Sequence, residues 1–493
     1  MKGLRLAFII LGMHALAIPS LLGQAVILET TTAEASLHDA LAHSNVRPGE
    51  DGGIAWFEWG ASTLDQKSPP VMLPQTTNSI SISEILPGLQ PYTIYNLRTV
   101  ASNKFGQVFG AAVRFQTGLR FVPSSAPATG WGSIACSSNG VNVIAVGRDQ
   151  ENSIYLSKDS GITWSSAPAP IARWTTVACS VTGQRLFVGS KGVVNDSAIY
   201  GSDDFGMSWR PLGTGPTSVT SIACSADGSK VIACYDYVFV STNFGATFTQ
   251  TTLPSGEWTS VTMTADGQKL AAAWEKPYYR PQEIILRTWV SVDGGATWGG
   301  GTWNVGRSLS CSPDGSVLLG ATPNPYIFQE GLVISKDWGL TGTRTLGEAS
   351  APICAVCSYD GLNIVAASGN PSTVQSSVDG GVTWAWSGNT PVGPNSVAMS
   401  ADGKSVYIAS GYYGIWMWHE GPITLSITRT NGSATISWPS YLFSPKLEAN
   451  GGLSLGDWAE VSQMLNVTNL LFQVHADFSA GNQFYRLRRP TPE

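Results

Sequence analysis

The clearest sequence signal is Ser221-Ile-Ala-Cys-Ser-Ala-Asp-Gly228, followed by the apolar run Lys230-Val-Ile-Ala233. Asp-Gly between two apolar runs predicts a tight β-hairpin, because glycine accepts a positive φ without steric cost. Six further copies place their Cys or Met 39 to 48 residues apart: Cys136-Ser-Ser-Asn-Gly140, Cys179-Ser-Val-Thr-Gly183, Met263-Thr-Ala-Asp-Gly267, Cys311-Ser-Pro-Asp-Gly315, Cys357-Ser-Tyr-Asp-Gly361 and Met399-Ser-Ala-Asp-Gly403. A four-stranded propeller blade takes roughly 40–50 residues, so the repeat predicts a seven-bladed β-propeller.

A second pattern, Ser-x-Asp-x-Gly-x-x-Trp, alternates with the hairpins. It is complete at Ser157–Trp164, Ser202–Trp209, Ser291–Trp298 and Ser377–Trp384. It is degraded at Ser241–Phe248, where Asn243 replaces Asp, and at Ser335–Gly342, which does not end in Trp. This pattern is the Asp-box, or bacterial neuraminidase (BNR) repeat. Over roughly 119–421 the chain therefore resembles the sialidase-like Asp-box propellers.

The resemblance implies a structural role for the boxes. The acidic or amide side chain caps a turn between the third and fourth strands of a blade, on the side away from the ligand. We therefore predict turn-capping rather than catalysis or calcium binding for Asp159, Asp204, Asn243, Asp293, Asp337 and Asp379. The position that alternates between Cys and Met predicts a buried apolar slot, so no metal and no cofactor are expected.

Seven hairpins but six boxes leave one blade short of a strand. The segment Arg120-Phe-Val-Pro-Ser-Ser-Ala-Pro127 is similar to Trp164-Ser-Ser-Ala-Pro168, which follows the first box. We therefore predict that residues 119–127 supply the outer strand of the last blade, whose inner strands lie within 395–418. Strands from both ends of the repeat region would then close the ring.

Composition agrees with an all-β protein. Charged residues make up only 13% of the chain, whereas Gly (54) and Trp (18) are abundant, which favours short strands and tight turns. The net charge of −6 includes no basic stripe, so nucleic acid is excluded as a partner.

Residues 1–25 are typical of a signal peptide. Lys2 and Arg5 precede a mostly apolar run, Leu6 to Ile18, and Gly23-Gln-Ala25 offers small residues for cleavage. A membrane anchor is the alternative, but the run is short and is ended by Pro19. We expect a secreted, periplasmic or cell-surface protein with no membrane span in the mature chain.

Two further β-domains flank the propeller. Residues 26–118 resemble a fibronectin type III domain through Ala55-Trp-Phe-Glu-Trp-Gly60 and through Leu86–Tyr95, with Tyr95 as the candidate corner tyrosine. Residues 422–493 predict a small β-sandwich and resemble a C-terminal module of exported bacterial proteins, with Ile436-Ser-Trp-Pro439 and Phe484-Tyr-Arg-Leu487. This module either contacts a surface or carbohydrate, or only packs on its neighbour.

The irregular loops predict where a ligand binds, because variable loops on a rigid scaffold carry function. They lie on the face opposite the Asp-boxes and offer aromatic, arginine and carboxylate groups that suit a sugar. The candidate ligand-binding residues are Arg148, Tyr235, Tyr278, Tyr279, Arg280, Glu283, Tyr326, Glu330, Tyr412 and Tyr413. Trp131, Trp174 and Trp258, at the starts of inner strands, either join this surface or wedge between blades.

Enzymatic activity is the alternative to binding. Sialidases open with Arg-Ile-Pro and use an arginine triad, whereas here Arg120 precedes Phe-Val-Pro and the arginines do not follow the sialidase spacing. Xyloglucan-cleaving relatives pair two propellers, and Asp236, Glu275, Glu283 and Glu330 do not form a pair by spacing. We therefore predict no catalytic residue and a secreted recognition protein that binds an extracellular glycan or protein.

Overall fold

A computed structural model describes most of the chain. The described residues are 26–35, 38–91, 93–147, 153–194, 197–213, 215–276, 285–300, 308–322, 331–346, 352–369, 372–387, 393–411, 414–420, 426–430, 433–439, 446–450, 459–460, 466–468, 471–477 and 484–488. Residues 1–25, the predicted signal peptide, lie outside them. The described part is built of strands, which confirms the all-β prediction. It contains no helix long and apolar enough to span a membrane.

The N-terminal unit contains two antiparallel sheets. The first has the order β1 (Ile27–Ala35), β2 (Ala40–Arg47), β6 (Ile80–Leu86). The second has the order β4 (Gln66–Lys67), β3 (Gly53–Gly60), β7 (Ile94–Asn103), β8 (Gly106–Phe109), with β5 (Val71–Leu73) paired to β3 and β9 (Val113–Gln116) paired to β7. Its core buries Trp56 and Trp59, and Tyr95 stacks on Phe115 at 5.6 Å between ring centroids.

Between residues 122 and 419 the described strands form seven four-stranded antiparallel sheets. Blades 1 to 3 are β11 (Trp131–Cys136), β12 (Val143–Gly147), β13 (Ile154–Ser157), β14 (Ser165–Ser166); β15 (Trp174–Cys179), β16 (Leu186–Val194), β17 (Ser197–Ser202), β18 (Arg210–Pro211); and β19 (Ser221–Cys224), β20 (Val231–Cys234), β21 (Val238–Ser241), β22 (Thr249–Gln250). Blades 4 to 6 are β23 (Glu257–Met263), β24 (Leu270–Lys276), β25 (Ile285–Ser291), β26 (Gly299–Gly300); β27 (Ser308–Cys311), β28 (Leu318–Thr322), β29 (Gly331–Ser335), β30 (Thr343–Leu346); and β31 (Pro352–Cys357), β32 (Ile364–Gly369), β33 (Ser372–Ser377), β34 (Ala385–Trp386). Blade 7 is β35 (Pro394–Met399), β36 (Ser405–Ser410), β37 (Ile415–His419) with the early strand β10 (Val122–Pro123).

The early strand β10 is the outer strand of the last blade. Val122 pairs with Met417 and Pro123 with Trp416. Phe121, immediately before the strand, is fully buried in an apolar cluster shared by blades 6 and 7. The seam between the last and first blades is therefore held by chain segments from both ends of the propeller.

The cores of the propeller lie between adjacent blades. Ile144 and Leu156 of blade 1, for example, pack with Val188 and Tyr200 of blade 2. Blades 7 and 1 share an equivalent cluster that contains Tyr407. Burial of apolar side chains on both faces of each sheet, at roughly 25 cal/mol per Å², favours the closed ring.

Backbone hydrogen bonds join the hairpin turns of neighbouring blades. The linking residue lies two positions after each repeat Cys or Met, and its N–H donates to the equivalent carbonyl of the next blade. The residues in order are Ser138, Val181, Ala226, Ala265, Pro313, Tyr359 and Ala401, with N···O distances of 2.7 to 2.8 Å. Pro313 has no N–H, so the step from blade 5 to blade 6 has no such bond.

The C-terminal segment forms two smaller sheets in its described residues. One has the order β38 (Ser426–Thr430), β39 (Ser433–Pro439), β43 (Leu471–Asp477), β42 (Asn466–Thr468). The other has the order β41 (Ala459–Glu460), β40 (Lys446–Asn450), β44 (Phe484–Arg488).

Candidate functional site

A cavity of about 850 Å³ lies at the centre of the propeller. The first strand of every blade, or the residue just before it, contributes to its wall: Gly132, Ser133, Thr175, Thr176, Thr220, Ser221, Glu257, Trp258, Thr259, Ser260, Ser308, Ile353, Asn395 and Ser396. The loop after β20 adds Tyr235 and Asp236, and β24 adds Glu275. A second cavity of about 270 Å³ shares Gly132, Thr175 and Asn395 with it.

The cavity lies where the first strands begin. Strands alternate in direction within each blade, so the turns after the first and third strands lie at the other end. Those turns carry the Asp-Gly hairpins and the Ser-x-Asp sequences. The cavity and the Ser-x-Asp turns are therefore at opposite ends of the blades.

Hydroxyl groups recur around the cavity, three residues before each repeat Cys or Met. We call Ser133, Thr176, Ser221, Ser260, Ser308 and Ser396 the inner hydroxyl ring, and Cys354 holds the seventh place. Four of these serines accept a backbone N–H from the next blade: Ser133 from Val177 (3.3 Å), Ser221 from Val261 (3.1 Å), Ser260 from Leu309 (3.0 Å) and Ser396 from Ile134 (3.3 Å). The ring thus links blades and lines the cavity at once.

Sequence reasoning missed the inner hydroxyl ring. Its signal was present as Ser or Thr at a fixed distance before six of the seven Cys or Met positions. A hydroxyl in a strand is unremarkable by itself, and only the closed ring brings the six side chains to a common centre.

Carboxylates supply the charge of the cavity wall. Asp236 is exposed in its loop, whereas Glu275 is buried with 7% exposure. Glu257 and Glu275 are directly paired across β23 and β24. Among the described residues that line the cavity there is no Lys, Arg or His. The described wall is therefore acidic and rich in hydroxyls.

Tyr235 is the one predicted ligand-binding residue that the structure describes. It lines the cavity with 36% of its surface exposed. Its loop is tied to the next blade because Trp258 N–H donates to the Tyr235 carbonyl at 3.0 Å and Gly256 N–H to the Asp236 carbonyl at 2.9 Å. The other predicted residues lie outside the described residues: Arg148, Tyr278, Tyr279, Arg280, Glu283, Tyr326, Glu330, Tyr412 and Tyr413.

The three tryptophans that begin inner strands are packing residues. Trp131, Trp174 and Trp258 are at most 1% exposed and belong to clusters between blades. The indole N–H of Trp131 donates to the Pro127 carbonyl, and that of Trp258 to the Pro254 carbonyl, both at 3.2 Å. These tryptophans therefore pack between blades rather than forming the ligand-binding surface, although Trp258 also contributes to the cavity wall.

The Ser-x-Asp turns form closed hydrogen-bond networks. In blade 2, Asp204 accepts the Ser202 hydroxyl (2.8 Å), the Ser208 N–H (2.9 Å) and the Ser208 hydroxyl (2.5 Å). The Trp209 indole N–H donates to the Gly206 carbonyl at 3.1 Å. Asn243 keeps the same contacts in blade 3 by donating its amide to the Thr247 hydroxyl at 2.9 Å. These groups are occupied within their own turns, which supports turn-capping.

The seventh residue of each Ser-x-Asp turn was also missed. It is Ser or Thr in all six copies: Thr163, Ser208, Thr247, Thr297, Thr341 and Thr383. Its hydroxyl and N–H are the principal cause that lowers the pKa of Asp204, Asp293 and Asp337 to about 2. These carboxylates therefore stay ionised at pH values where free aspartate is protonated.

The Ser-x-Asp turn of blade 5 lacks the tryptophan at its last position and has a tryptophan at its fourth position instead. Trp338 occupies the fourth position of its turn, where φ is 56°. Its side chain is 5% exposed and its indole N–H donates to the Ser291 carbonyl of blade 4 at 3.2 Å. The fourth position has positive φ in every copy, so the left-handed bend spans two residues rather than the motif glycine alone.

The cysteines are free thiols. Those at the repeat position pack half-buried or buried against the clusters between blades, as Cys136, Cys179 and Cys357 illustrate. Burial raises the pKa of Cys136, Cys224 and Cys311 to about 12, so these thiols stay protonated at neutral pH. No group of three or more His, Cys, Asp or Glu residues able to hold a metal ion occurs within the described ranges.

Comparisons with known proteins assign no family and no function to this chain. No protein-family model matches the chain, and no curated protein does. Among solved structures, YCF48 bound to D1 peptide has a TM-score of 0.46 at 13% identity, covering 62% of this chain and 96% of its own. Kuenenia stuttgartiensis hydrazine synthase has a TM-score of 0.46 at 14% identity, covering 61% and 97% respectively. Both are β-propellers, and neither assigns a function to this chain.

Proposed function

We propose that the protein is a secreted, non-catalytic recognition protein of the Asp-box propeller type. It binds an extracellular glycan or protein on the propeller face opposite the Asp-boxes. The observation that carries the proposal is the central cavity of about 850 Å³, within the roughly 300–1,000 Å³ of small-ligand sites. A peptide side chain or the end of a sugar chain would fit such a volume.

The difference between the two ends of the propeller supports a ligand site at the cavity end. Box carboxylates such as Asp204 are satisfied within their own turns. The cavity instead presents Asp236 and the inner hydroxyl ring to a ligand.

The flanking domains fit an exported binder. The N-terminal unit, with buried Trp56 and two facing sheets, serves in this proposal as a fibronectin type III-like spacer. The C-terminal sheets form the small module that contacts a surface or carbohydrate. The leader at 1–25 directs export.

Glycoside hydrolysis is the second candidate, and the paired Glu257 and Glu275 favour it. Two carboxyl groups beside a cavity are the side chains that such a reaction requires. The box aspartates take no part in either candidate.

Binding and hydrolysis can be separated in one assay series. The immobilised mature chain is exposed to a glycan array and a peptide library, and the soluble chain to fluorogenic glycosides that include a sialoside. We expect saturable capture without fluorophore release, and reduced capture by Asp236→Asn. Glu50→Gln, an exposed carboxyl change in the N-terminal unit, is the matched control. Fluorophore release that is abolished in Glu275→Gln would replace the binder with a hydrolase.

A further inference from the structure

The inner hydroxyl ring leaves hydrogen-bond donors facing the cavity. In Ser133, Ser221, Ser260 and Ser396 the oxygen already accepts a backbone N–H, which fixes its position. Their hydroxyl hydrogens donate to no protein group within the described part of the chain. Each serine therefore retains one donor and one acceptor site for a ligand.

Thr176 belongs to the same inner hydroxyl ring. It is 6% exposed and contributes to the cavity wall. Its methyl group lies toward Gly189, 2.9 Å from where a Cβ on that glycine would be. Within the described residues its hydroxyl makes no hydrogen bond. This hydroxyl is therefore available to a ligand in the cavity.

The carboxylates define which ligand charge is accepted. Asp236 and Glu257 provide acceptor oxygens, and the described wall contains no cation to receive an anion. A carboxylate- or sulfate-bearing ligand would meet like charge there. A polyhydroxyl ligand would donate its hydroxyls to these oxygens and accept hydrogen bonds from the serines, and an added amine would gain an ion pair.

We propose that the cavity binds the end of a non-anionic oligosaccharide and prefers one that carries free amino groups. This inference rests on the proposed function and deepens it by naming the ligand class. The hydroxyl donors of the ring and the carboxylate acceptors of blades 3 and 4 match sugar hydroxyls. Tyr235 at the rim offers an aromatic face for a pyranose ring.

The test compares three tetrasaccharides of equal length by isothermal titration with the full mature chain. The probes are a neutral β-glucan, a glucosamine oligomer and a galacturonate oligomer. We expect the glucosamine oligomer to bind most tightly, the neutral one next, and the galacturonate at least about tenfold more weakly. Low salt should widen the difference, because screening weakens charge interactions.

Variants connect the preference to the cavity. Asp236→Asn should reduce the preference for the amine, whereas Thr176→Val should weaken the neutral and aminated probes equally. Glu50→Gln controls for the loss of one carboxylate outside the propeller. Because Thr176 is buried, its variant is compared by thermal melting, and exposed Asp236 provides the variant that folds independently of that result.

The outcomes separate this inference from the proposed function. Equal or tighter binding of galacturonate, or an amine preference unaffected by Asp236→Asn, would overturn the ligand class. Capture of peptides alone, lost in Asp236→Asn, would also overturn it while leaving the recognition role intact. Hydrolysis of a probe would instead remove the recognition role itself.

Discussion

The backbone N–H of Ala401 donates to the carbonyl of Ser138 at 2.7 Å, which joins the hairpin turn of the last blade to that of the first. The two residues are far apart in sequence, yet they hold equivalent places in the repeat. Five other hydrogen bonds of the same kind run around the ring, interrupted at Pro313. The seam between the first and last blades is therefore bonded in the same way as five of the six internal seams.

Replacing Ala401 with proline should loosen this seam. The turn accepts proline at this position, because Pro313 occupies the equivalent place in blade 5. Ala401→Pro removes one backbone hydrogen bond, so we expect a loss of about 1 kcal/mol in the free energy of unfolding. Urea denaturation followed by tryptophan fluorescence measures it. An unchanged midpoint would mean that the bond does not hold the seam.

Phe121 should anchor the closing strand. Its fully buried ring packs between blades 6 and 7, next to β10. Phe121→Ala should destabilise the protein by about 3–5 kcal/mol through lost burial and a cavity. Phe105→Ala, at a ring 51% exposed in the N-terminal unit, should change stability by less than about 0.5 kcal/mol. Equal losses of stability for the two substitutions would contradict an anchoring role for Phe121.

The Ser-x-Asp turns should make the stability of the protein decrease at acidic pH. Hydrogen bonds lower the folded-state pKa of Asp204, Asp293 and Asp337 to about 2, below the ordinary value of 3.8. Their contribution to stability is therefore complete above about pH 4 and is lost as pH falls from there through 2. NMR titration of Asp204 should give a pKa near 2 in the wild type. In Ser208→Ala it should rise toward 3.8, and an identical value in both proteins would contradict the network.

The cysteines should be unreactive in the folded protein. Because burial raises the pKa of Cys136, Cys224 and Cys311 to about 12, almost no thiolate forms at pH 8. Iodoacetamide followed by mass spectrometry should leave these thiols unmodified in the native state. In urea all seven cysteines of the chain should be labelled. Rapid native labelling of Cys136 would show that its site is open.

Trp338 should join blade 5 to blade 4 through one hydrogen bond. Trp338→Phe keeps an aromatic ring but removes the indole donor to the Ser291 carbonyl. We expect a loss of about 1–2 kcal/mol in unfolding free energy. Tyr359→Phe, at a ring 52% exposed, should be nearly neutral. Equal unfolding free energies for the two variants would show that this hydrogen bond does not stabilise the protein.

The sequence could predict the propeller because its signals are local and repeated. Asp-Gly turns such as Asp227-Gly228 and the Ser-x-Asp turns each fix a short backbone segment. Their regular spacing sets the number of blades. The similarity between 120–127 and 164–168 even indicated the segment that contains β10, although the paired strand is only Val122–Pro123.

The cavity could not be predicted in the same way. Ser133 and Ser396 are distant in sequence and meet only when the ring closes, and each hydroxyl alone carries little information. The sequence pattern favoured aromatic and charged loop residues instead, and of these Tyr235 is the one that the structure describes at the cavity. Trp131 and Trp174 were ambiguous because a large indole suits a wedge and a sugar platform equally.

Hydrogen–deuterium exchange of the full chain, with and without the glucosamine tetrasaccharide, tests most directly whether recognition takes place at the cavity. We expect slower exchange at 132–133, 175–176, 220–221, 235–236 and 257–260, which line the cavity, and no change at the turns 202–209 and 291–298. Protection confined to the Ser-x-Asp turns would contradict the account.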